Sequence, residues 1–273
     1  MKKYNKFKII LPTSVHYLDI TIIFLKLLKI NWPSAMSHVV ISTIGRSPVT
    51  EKLKEIAEVV ENPNTATLPE CILNASHLYT ADIYLVFLGD AFIYKRVNEK
   101  LVANLIDNLI TNEIEYCRLD PQFSFFGERK SKFYRLLNTN ERYGHSFVAF
   151  AASPKFILKE FANSKNYTDR DFEIKYLRLA NSNKREYFKR DAILKKNYFN
   201  ILPSIQKGKW DAKNMLLLKK KYPKIDFSNR ATISWKYELI LIGRNVMLPV
   251  IPNKLRMYIK NKFNKKSYFD TNI

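Results

Sequence analysis

The stretch Asp82–Leu88, with the sequence DIYLVFL, decides the fold of this chain. It is a continuous apolar run with aromatic and β-branched members, and polar residues flank it on both sides. A run of this kind, without alternation of polar and apolar residues, is typical of a strand that is covered on both faces of a sheet. The sequence therefore predicts a central, buried strand at this position.

Strand-like and helix-like segments alternate on either side of this strand. Upstream, Phe7–Leu11 and His38–Thr43 have strand character, and apolar residues at helical spacing lie between them. Downstream, the helical pattern that follows has Asn98 as its N-cap. The other predicted elements are helices at Leu18–Ile30, Glu51–Ala57, Leu68–Leu78 and Val97–Ile110, an extended segment at Glu58–Val60, and strands at Ile114–Leu119 and Phe147–Ala152. This rhythm favours an α/β fold with a mostly parallel, doubly wound sheet.

From Asp191 onward the pattern changes to helical segments separated by prolines. The clearer of these helices are Met215–Lys221 and Trp235–Leu241. We therefore predict a catalytic α/β domain over residues 1–190 and a helical, basic C-terminal segment over residues 191–273 that packs on it.

The net charge of +21 in 273 residues exceeds what solubility requires and indicates an anionic partner. From Lys184 onward there are 22 Lys and Arg residues against 6 Asp and Glu residues. Near the end, Lys254–Lys266 alternates cationic with apolar residues, which is the pattern of a helix that lies on an anionic membrane surface. A basic helix that contacts only solvent is the alternative.

Several classes of protein are disfavoured by composition and motifs. The hydrophobic content of 47% argues against disorder, and no P-loop, GxGxxG, GxSxG or zinc-binding pattern is present. Cys71 and Cys117 indicate buried thiols in a reducing cytoplasm. The longest apolar stretches, Ile20–Ile30 and Leu239–Ile251, are interrupted and fall short of the ~18 residues of a spanning helix. We expect a cytoplasmic enzyme that is attached peripherally to the inner face of the membrane.

Polar residues that follow the predicted strands are the first candidates for ligand binding, because open α/β sheets bind ligands at the carboxyl ends of their strands. Thr13 and Ser14 follow the first strand, and Arg46 follows the second. Gly89 and Asp90 follow the central strand. Asp90 is placed to bind Mg²⁺ or Mn²⁺ together with a diphosphate. For each of these residues, a capping role in a turn is an open alternative.

Two further stretches carry candidate chemistry. Glu173 is the first choice and Asp171 the second for a base that removes the proton of an acceptor hydroxyl. Acidic residues also stabilise any helix N-terminus, so that alternative remains open. The stretch Lys207-Gly208-Lys209-Trp210 combines two cations, a glycine and a flat aromatic surface, which suits a diphosphate or a sugar ring. A basic turn with Trp210 buried is the alternative.

The segments Leu85–Ile93 (LVFLGDAFI) and Ile114–Leu119 (IEYCRL) resemble a family of bacterial glycosyltransferases of lipopolysaccharide and capsular polysaccharide synthesis. The resemblance extends from about residue 8 to about residue 260. The other matching stretches are Ser14–Asp19 with Asn31–Pro33, Phe172-Glu173 after SPKFILKEF, and Lys207–Trp210 with Ile225-Asp226 and Arg230.

The resemblance implies a GT-A-like fold, a nucleotide-sugar donor and a role for Asp90 at the metal and diphosphate site. The basic segment near the C-terminus suits an enzyme that meets its acceptor at a membrane. We therefore expect a lipid-linked or surface-polysaccharide acceptor, for which Arg118, Asp120 and His145 are the candidate contacts. The expected donor contacts are Thr13, Ser14, Arg46, Gly89, Asp90, Lys207, Gly208, Lys209 and Trp210. The sequence departs from the family at Gly89, where the family has the first of two adjacent aspartates, and this departure puts the dependence on a divalent cation in question.

The sequence is also compatible with two rival functions. Lys and Arg interleaved with Tyr and Phe would suit a nucleic-acid-binding protein. The modest charge of the α/β part and the lack of RRM, KH or OB signatures disfavour it, and no nucleic-acid partner is expected. A non-catalytic relative, in which Gly89 marks a lost site, is the second rival.

Overall fold

The computed structural model describes residues 5–121, 128, 130–138, 144–162, 166–182, 184–228 and 230–233. Seven α-helices lie in these ranges: α1 (Leu18–Asn31), α2 (Pro48–Leu53), α3 (Leu68–Leu78), α4 (Glu99–Thr111), α5 (Pro154–Phe161), α6 (Asp169–Asn181) and α7 (Ala212–Lys221). Three 3-10 helices span Val15–Tyr17, Pro33–His38 and Arg185–Phe188.

Twelve strands accompany these helices in the described ranges. They are β1 (Asn5–Ser14), β2 (Val39–Ile44), β3 (Glu58–Asn62), β4 (Ala81–Phe87), β5 (Ala91–Ile93), β6 (Tyr116–Arg118), β7 (Tyr134–Leu136), β8 (Ala149–Ala152), β9 (Asp191–Leu194), β10 (Ile201–Pro203), β11 (Ile205–Gln206) and β12 (Lys209–Trp210). The predicted central strand is therefore present as β4, displaced by one residue.

Eight of these strands form one sheet in the order β3-β2-β1-β4-β8-β6-β9-β7. The first four are parallel, and β6 is parallel to β9. Strand β8 runs antiparallel to both of its neighbours, and β7 runs antiparallel to β9. The predicted mostly parallel α/β sheet is confirmed. The two reversed strands are a feature that the alternation of segments did not indicate.

Each face of the sheet is covered by helices, as expected for a doubly wound sheet. Along β4, Leu85 and Phe87 join a first core with α1 and α4, whereas Tyr84 and Val86 join a second core with α3 and α5. The direction of side chains alternates along a strand, so an uninterrupted apolar run supplies both cores at once. This explains why β4 carries almost no polar residue.

Helix ends follow local capping rules. The Thr67 hydroxyl accepts a hydrogen bond from the Glu70 N–H, and the Glu70 carboxylate accepts one from the Thr67 N–H, so a capping box begins α3. Asn98 caps α4, as predicted. These signals lie within four residues of sequence, which is why the beginnings of both helices were predictable.

The boundary expected after residue 190 falls inside the sheet. Strand β9 begins at Asp191 and lies between β6 and β7. Trp210 and Leu218 belong to the first core, so the chain beyond residue 190 helps to build the α/β unit. The predicted helix Trp235–Leu241 and the basic stretch Lys254–Lys266 lie outside the described residues. None of the helices in the described part of the chain combines the length and hydropathy that crossing a bilayer requires.

Candidate functional site

The carboxyl ends of β1 and β4 lie side by side and form what we call the strand-end cluster, consisting of Thr13, Thr21, Gly89, Asp90 and Ser204. The Thr13 and Thr21 hydroxyl oxygens are 2.9 Å apart and share a hydrogen bond. The Ser204 N–H donates to the Asp90 carbonyl at 3.2 Å, which ties the segment after β10 to the end of β4. Two predicted donor-binding stretches, Thr13-Ser14 and Gly89-Asp90, are thus brought together.

Gly89 has a packing role in this cluster. A Cβ at position 89 would lie 3.3 Å from the Thr21 hydroxyl and 3.6 Å from the Thr21 Cα. The first distance is tighter than ordinary van der Waals contact. The close approach of β4 to the first turn of α1 therefore accounts for glycine where the resembling family carries aspartate.

Asp90 carries an unusual carboxylate. Its Oδ1 is buried and has no hydrogen-bond partner among the described residues, although the residue as a whole is only half-buried. Burial raises the pKa of Asp90 to about 6, and a hydrogen bond with its own backbone N–H opposes the shift. A carboxylate in this state gains free energy from any cation that reaches it.

A two-residue hairpin turn lies next to this cluster. Strands β11 and β12 are antiparallel, and the turn residues Lys207 and Gly208 have φ angles of 50° and 75°. Two left-handed residues in succession are typical of the tight turns whose twist matches that of paired strands. The Lys207 and Lys209 side chains are exposed. The hairpin therefore presents two cations at this edge of the molecule.

Arg230 connects this hairpin to the beginning of α1. It donates two hydrogen bonds to the Asp19 carboxylate, each 2.7 Å, and one to the His16 carbonyl at 2.6 Å. Its guanidinium lies 4.4 Å from the centre of the Tyr17 ring, and a Cβ on Gly208 would lie 3.3 Å from the Tyr17 hydroxyl. We call Tyr17, Asp19 and Arg230 the arginine clasp.

Trp210 corrects the expectation of an exposed sugar-stacking surface. The side chain is fully buried, its ring stacks on Phe92 at 5.7 Å, and its Nε1 donates to the Ser228 carbonyl. A ring that is enclosed on all sides has no face left for a ligand. Trp210 anchors the hairpin in the first core, and the structural alternative holds.

Arg46 likewise lies in an ion-pair network. Its guanidinium is 2.7 Å from the Glu51 carboxylate and 3.6 Å from that of Glu61, and Lys54 binds the same two carboxylates. This network joins the beginning of α2 to β3. The structure therefore shows Arg46 engaged with protein carboxylates rather than placed in the strand-end cluster.

A second group of polar residues lies at the end of β6, which points in the same direction as β4. Arg118 forms an ion pair with Asp120 at 3.0 Å, and Glu173 accepts a hydrogen bond from the Phe147 N–H at 3.2 Å. Burial raises the pKa of Glu173, and the positive charge of nearby Arg118 opposes the shift. We call Arg118, Asp120 and Glu173 the Arg118 cluster.

Asp171 has a structural role at the beginning of α6. Its carboxylate accepts hydrogen bonds from the Thr168 N–H at 3.0 Å and from the Thr168 hydroxyl at 2.7 Å. It completes a capping box and thereby stabilises the helix N-terminus. A shallow cleft of about 740 Å³ lies beside it, but neither Asp90 nor Glu173 lines this cleft. The capping alternative therefore accounts for Asp171.

His145 corrects the expectation of an acceptor contact. Only 2% of the residue is exposed, and its Nε2 lies 2.7 Å from the Asp191 carboxylate, which is equally buried. Aromatic rings of Tyr116, Phe172 and Tyr176 surround the imidazole at 4.3 to 5.1 Å. Burial raises the pKa of Asp191, and the hydrogen bond from His145 opposes the shift. This pair belongs to the interior.

The side chains around the strand-end cluster decide whether a divalent cation could be held there. Among the described residues, no group of three or more His, Cys, Asp or Glu side chains is arranged to hold a metal ion. The buried, unpartnered Oδ1 of Asp90 is nevertheless the hard oxygen donor that Mg²⁺ and Mn²⁺ prefer. Mg²⁺ is commonly held by one or two carboxylates with phosphate oxygens and water in the remaining positions. Asp90 would supply the one protein carboxylate of such a site, with the other positions left to phosphate oxygens and water.

Sequence reasoning missed Thr21, Ser204, Asp191 and most of the arginine clasp. Their partners lie far away along the chain, and a pattern within one window of sequence does not reveal such pairs. The only signals were indirect: Asp19 and Arg230 both fall in stretches that resemble the glycosyltransferase family.

The chain is similar in its path to several solved structures. A cytidylyltransferase from Leptospira borgpetersenii has 14% identity and a TM-score of 0.43, over 85% of this chain and 100% of that chain. A CMP:2-keto-3-deoxy-manno-octonic acid synthetase in complex with CTP has 13% identity and a TM-score of 0.45, over 81% and 98%. TarS of S. aureus has 16% identity and a TM-score of 0.46, over 69% of this chain and 35% of that chain.

At these identities and TM-scores the likenesses carry no information about activity. No family profile matches the chain, and no curated protein matches it.

Proposed function

We propose that the chain is a glycosyltransferase that moves a sugar from a nucleotide-sugar donor to a hydroxyl of a lipid-linked glycan. One observation carries the proposal: the buried and, among the described residues, unpartnered Oδ1 of Asp90 follows the central strand at the carboxyl edge of the sheet. Ligands of open α/β sheets bind at this edge. A buried carboxylate oxygen without a hydrogen-bond partner costs stability, so its presence favours a functional ligand.

The donor would lie over the strand-end cluster and the hairpin. The diphosphate carries negative charge, which Lys207 and Lys209 would attract and a divalent cation beside Asp90 would neutralise. Ser14 is half-buried at the carboxyl end of β1, and its hydroxyl would bind a ribose hydroxyl or a polar group of the base. When bound, the cation would stabilise the charge that develops on the leaving nucleoside diphosphate.

The Arg118 cluster would bind the acceptor and hold the base. In the transfer step, the bond between the anomeric carbon and the diphosphate oxygen breaks and a bond to the acceptor oxygen forms. The acceptor proton passes to a carboxylate, for which Glu173 is the candidate. Because burial raises the pKa of Glu173, it is a stronger base than an ordinary glutamate. Arg118 and Asp120 would orient the acceptor.

A panel of donors tests the proposal. UDP-, GDP-, CMP- and dTDP-sugars are each added to the full chain with and without Mn²⁺, and both the melting temperature and donor hydrolysis are measured. We expect one nucleotide class to raise the melting temperature, with a larger rise when Mn²⁺ is present. We expect slow hydrolysis of the same donor, because water can replace the missing acceptor.

Asp90→Asn is the informative variant, and Glu186→Gln is its matched control because Glu186 is exposed and lies away from the strand ends. The donor-dependent rise should vanish in Asp90→Asn and persist in Glu186→Gln. If no nucleotide sugar shifts either protein, the proposal is wrong. CTP is added to the full chain in a parallel reaction; if CTP is consumed with release of pyrophosphate while no nucleotide sugar is hydrolysed, the chain transfers nucleotidyl groups instead.

A further inference from the structure

Helix α7 has an outward face that combines leucine with lysine. Leu216 is 70% exposed and Leu217 is 38% exposed, whereas Leu218, the next residue, is fully buried. Residues 213, 216, 217 and 220 recur at helical spacing and therefore share one side of the helix. Lys213, Lys219 and Lys220 are exposed around the two leucines. We call Lys213, Leu216, Leu217 and Lys220 the outer face of α7.

This face has no role in the fold. Leu218 alone among the residues of α7 is buried, and it packs in the first core. Isolated exposed leucines are common on protein surfaces, but two adjacent leucines within a ring of lysines form an amphipathic surface. Leu216 is the most exposed large hydrophobic side chain among the described residues. Such a face gains free energy only when an apolar partner covers it.

The positive charge around the leucines restricts which kind of partner can bind the outer face of α7. α7 has no acidic residue in its first turn, and three consecutive lysines, Lys219, Lys220 and Lys221, form its last turn. A partner that accepts leucine side chains and also attracts lysine must offer hydrocarbon next to negative charge. An anionic phospholipid bilayer has this structure, with phosphate at its surface and acyl chains beneath it.

We propose that the outer face of α7 docks on an anionic phospholipid membrane, with Leu216 and Leu217 inserted below the headgroups. This inference deepens the proposed function, because it names the surface on which the lipid-linked acceptor would be met. Only the presence of a lipid-linked acceptor at this surface rests on the proposed function. The docking itself depends on the exposed leucines and lysines.

The position of α7 relative to the candidate site agrees with this role. Asp211 caps α7, its N–H donates to the Ser204 carbonyl, and the Ser204 N–H donates to the Asp90 carbonyl. The Asn214 side chain donates to the Pro203 carbonyl from the first turn of α7. A helix of this length spans about 15 Å. A membrane against α7 would therefore lie close to the Lys207-Gly208 turn and the carboxyl end of β4.

A fluorescence experiment on the full chain tests the docking. Cys71 and Cys117 are fully buried, so a thiol-reactive, polarity-sensitive dye placed on Leu216→Cys reports from α7 alone. The dye is mixed with vesicles of phosphatidylglycerol and phosphatidylcholine, and with vesicles of phosphatidylcholine alone. We expect a blue shift and quenching by nitroxide-labelled acyl chains with the anionic vesicles only. The same dye on Leu158→Cys, a position 47% exposed on α5, should not respond.

Vesicle sedimentation gives a second measurement. Leu216→Ser/Leu217→Ser should lower the partition coefficient on anionic vesicles by about tenfold or more, because each leucine loses its hydrocarbon contact. Ile56→Ser/Leu158→Ser is the matched control and should bind as the parent does. Donor-induced thermal shifts should be the same in all three proteins, which separates failure of docking from failure of the proposed function.

Four outcomes would overturn the inference. Unchanged sedimentation of the double leucine variant would place the attachment in another segment. A dye on residue 216 that already reports an apolar environment without vesicles would mean that another part of this chain covers α7. A blue shift without nitroxide quenching, produced equally by polyanionic nucleic acid or acidic polypeptide, would identify a polyanion as the partner. An equal response to neutral vesicles would remove the role of the lysines.

Discussion

Asp19 accepts two hydrogen bonds from Arg230, both 2.7 Å long, and so joins the beginning of α1 to a segment 211 residues later in the chain. A bidentate pair of this kind fixes orientation as well as distance. Gly208 approaches the Tyr17 ring that Arg230 covers, so the pair also positions the Lys207-Gly208 turn. The exposed cations of the candidate donor site thus depend on a contact that is remote from them in sequence.

Loss of the ion pair between Asp19 and Arg230 should disturb the position of the hairpin strongly and lower the free energy of unfolding only slightly. Asp19→Asn removes the charge, and because the pair is partly exposed we expect a loss of only about 1 kcal/mol in the free energy of unfolding. The donor should also raise the melting temperature of the variant less than that of the parent, and the difference should be larger than the loss of stability alone would cause. Arg230→Lys, which keeps the charge without the bidentate geometry, should behave in the same way. Unchanged donor binding in both variants would contradict a positioning role.

The same pair should lose strength in acid. Burial alone would raise the pKa of Asp19, but the hydrogen bonds and charge of Arg230 lower the pKa below its usual value of 3.8. Because the folded-state pKa is the lower one, the pair stabilises the protein above pH 4 and loses this contribution as the pH falls further. The difference in stability between the parent and Asp19→Asn should therefore shrink below pH 4, as measured by urea denaturation.

Asp90→Asn should stabilise the fold while it removes function. The pKa of Asp90 in the folded protein is raised to about 6 from 3.8, so the parent loses stability as the pH rises through this window. The amide cannot ionise, and the variant should be more stable than the parent by about 1–3 kcal/mol at pH 7.5 and no more stable at pH 4. Urea denaturation at both pH values measures the difference. A less stable variant at pH 7.5 would show that the carboxylate has a favourable partner.

Substitution of Gly89 by a larger residue should destabilise the fold. Gly89→Ala places a Cβ 3.3 Å from the Thr21 hydroxyl, and overpacking of this kind typically costs about 1–3 kcal/mol. Thr21→Ala removes the hydroxyl that the Cβ would meet, so the double variant should recover part of the loss beyond additivity. Chemical denaturation of the two single variants and the double variant measures this coupling. Strictly additive effects would mean that Thr21 does not restrict position 89.

Glu173→Gln should separate chemistry from binding. The amide oxygen can still accept the hydrogen bond from the Phe147 N–H, so the fold should be retained. Loss of a general base typically lowers turnover about 10²–10⁴-fold, and the donor-induced thermal shift should be unchanged. Asp171→Asn, at the cap of α6, is the control and should affect stability rather than turnover. Full turnover in Glu173→Gln would remove the residue from the proposed role.

Substitution in the buried pair of His145 and Asp191 should lower the free energy of unfolding far more than substitution of any candidate site residue. His145→Phe keeps an aromatic ring but leaves the Asp191 carboxylate without its partner, which typically costs about 3–5 kcal/mol. Asp191→Asn retains a hydrogen bond to the imidazole and should cost less. Because burial raises the pKa of Asp191, the deficit of His145→Phe should shrink as the pH falls and the carboxyl group takes up a proton. A deficit that does not depend on pH would contradict this origin.

Helices and strands were predictable where the residues that determine them lie close together in the sequence. The apolar run of β4, the helical spacing of α3 and the Asn98 cap each lie within one window of sequence, and each is present within a few residues of its prediction. The carboxyl edge of the sheet was also predictable, because a parallel sheet brings the ends of β1 and β4 together. This is the ground on which Thr13, Ser14 and Asp90 are predicted as candidate ligand contacts.

Pairing between remote segments was not predictable. The antiparallel direction of β8 and the position of β9 in the sheet depend on which strands have an unpaired edge when these segments pack. The alternation of apolar residues in the sequence does not indicate this. The surroundings of a polar residue were not predictable either, since His145 lies among aromatic rings that come from four other elements. Trp210 stands beside two lysines in sequence, but its ring points into the first core.

The reversed strand β8 has a consequence for synthesis on the ribosome. Strands β1 to β4 are complete about 60 residues before β8 emerges, and at about 5–20 residues per second this interval lasts roughly 3–12 s. During it the apolar edge of β4 has no neighbour on one side, and an unpaired edge is a template for other chains. The arrival of Ala149–Ala152 therefore closes this edge of β4 in the nascent protein.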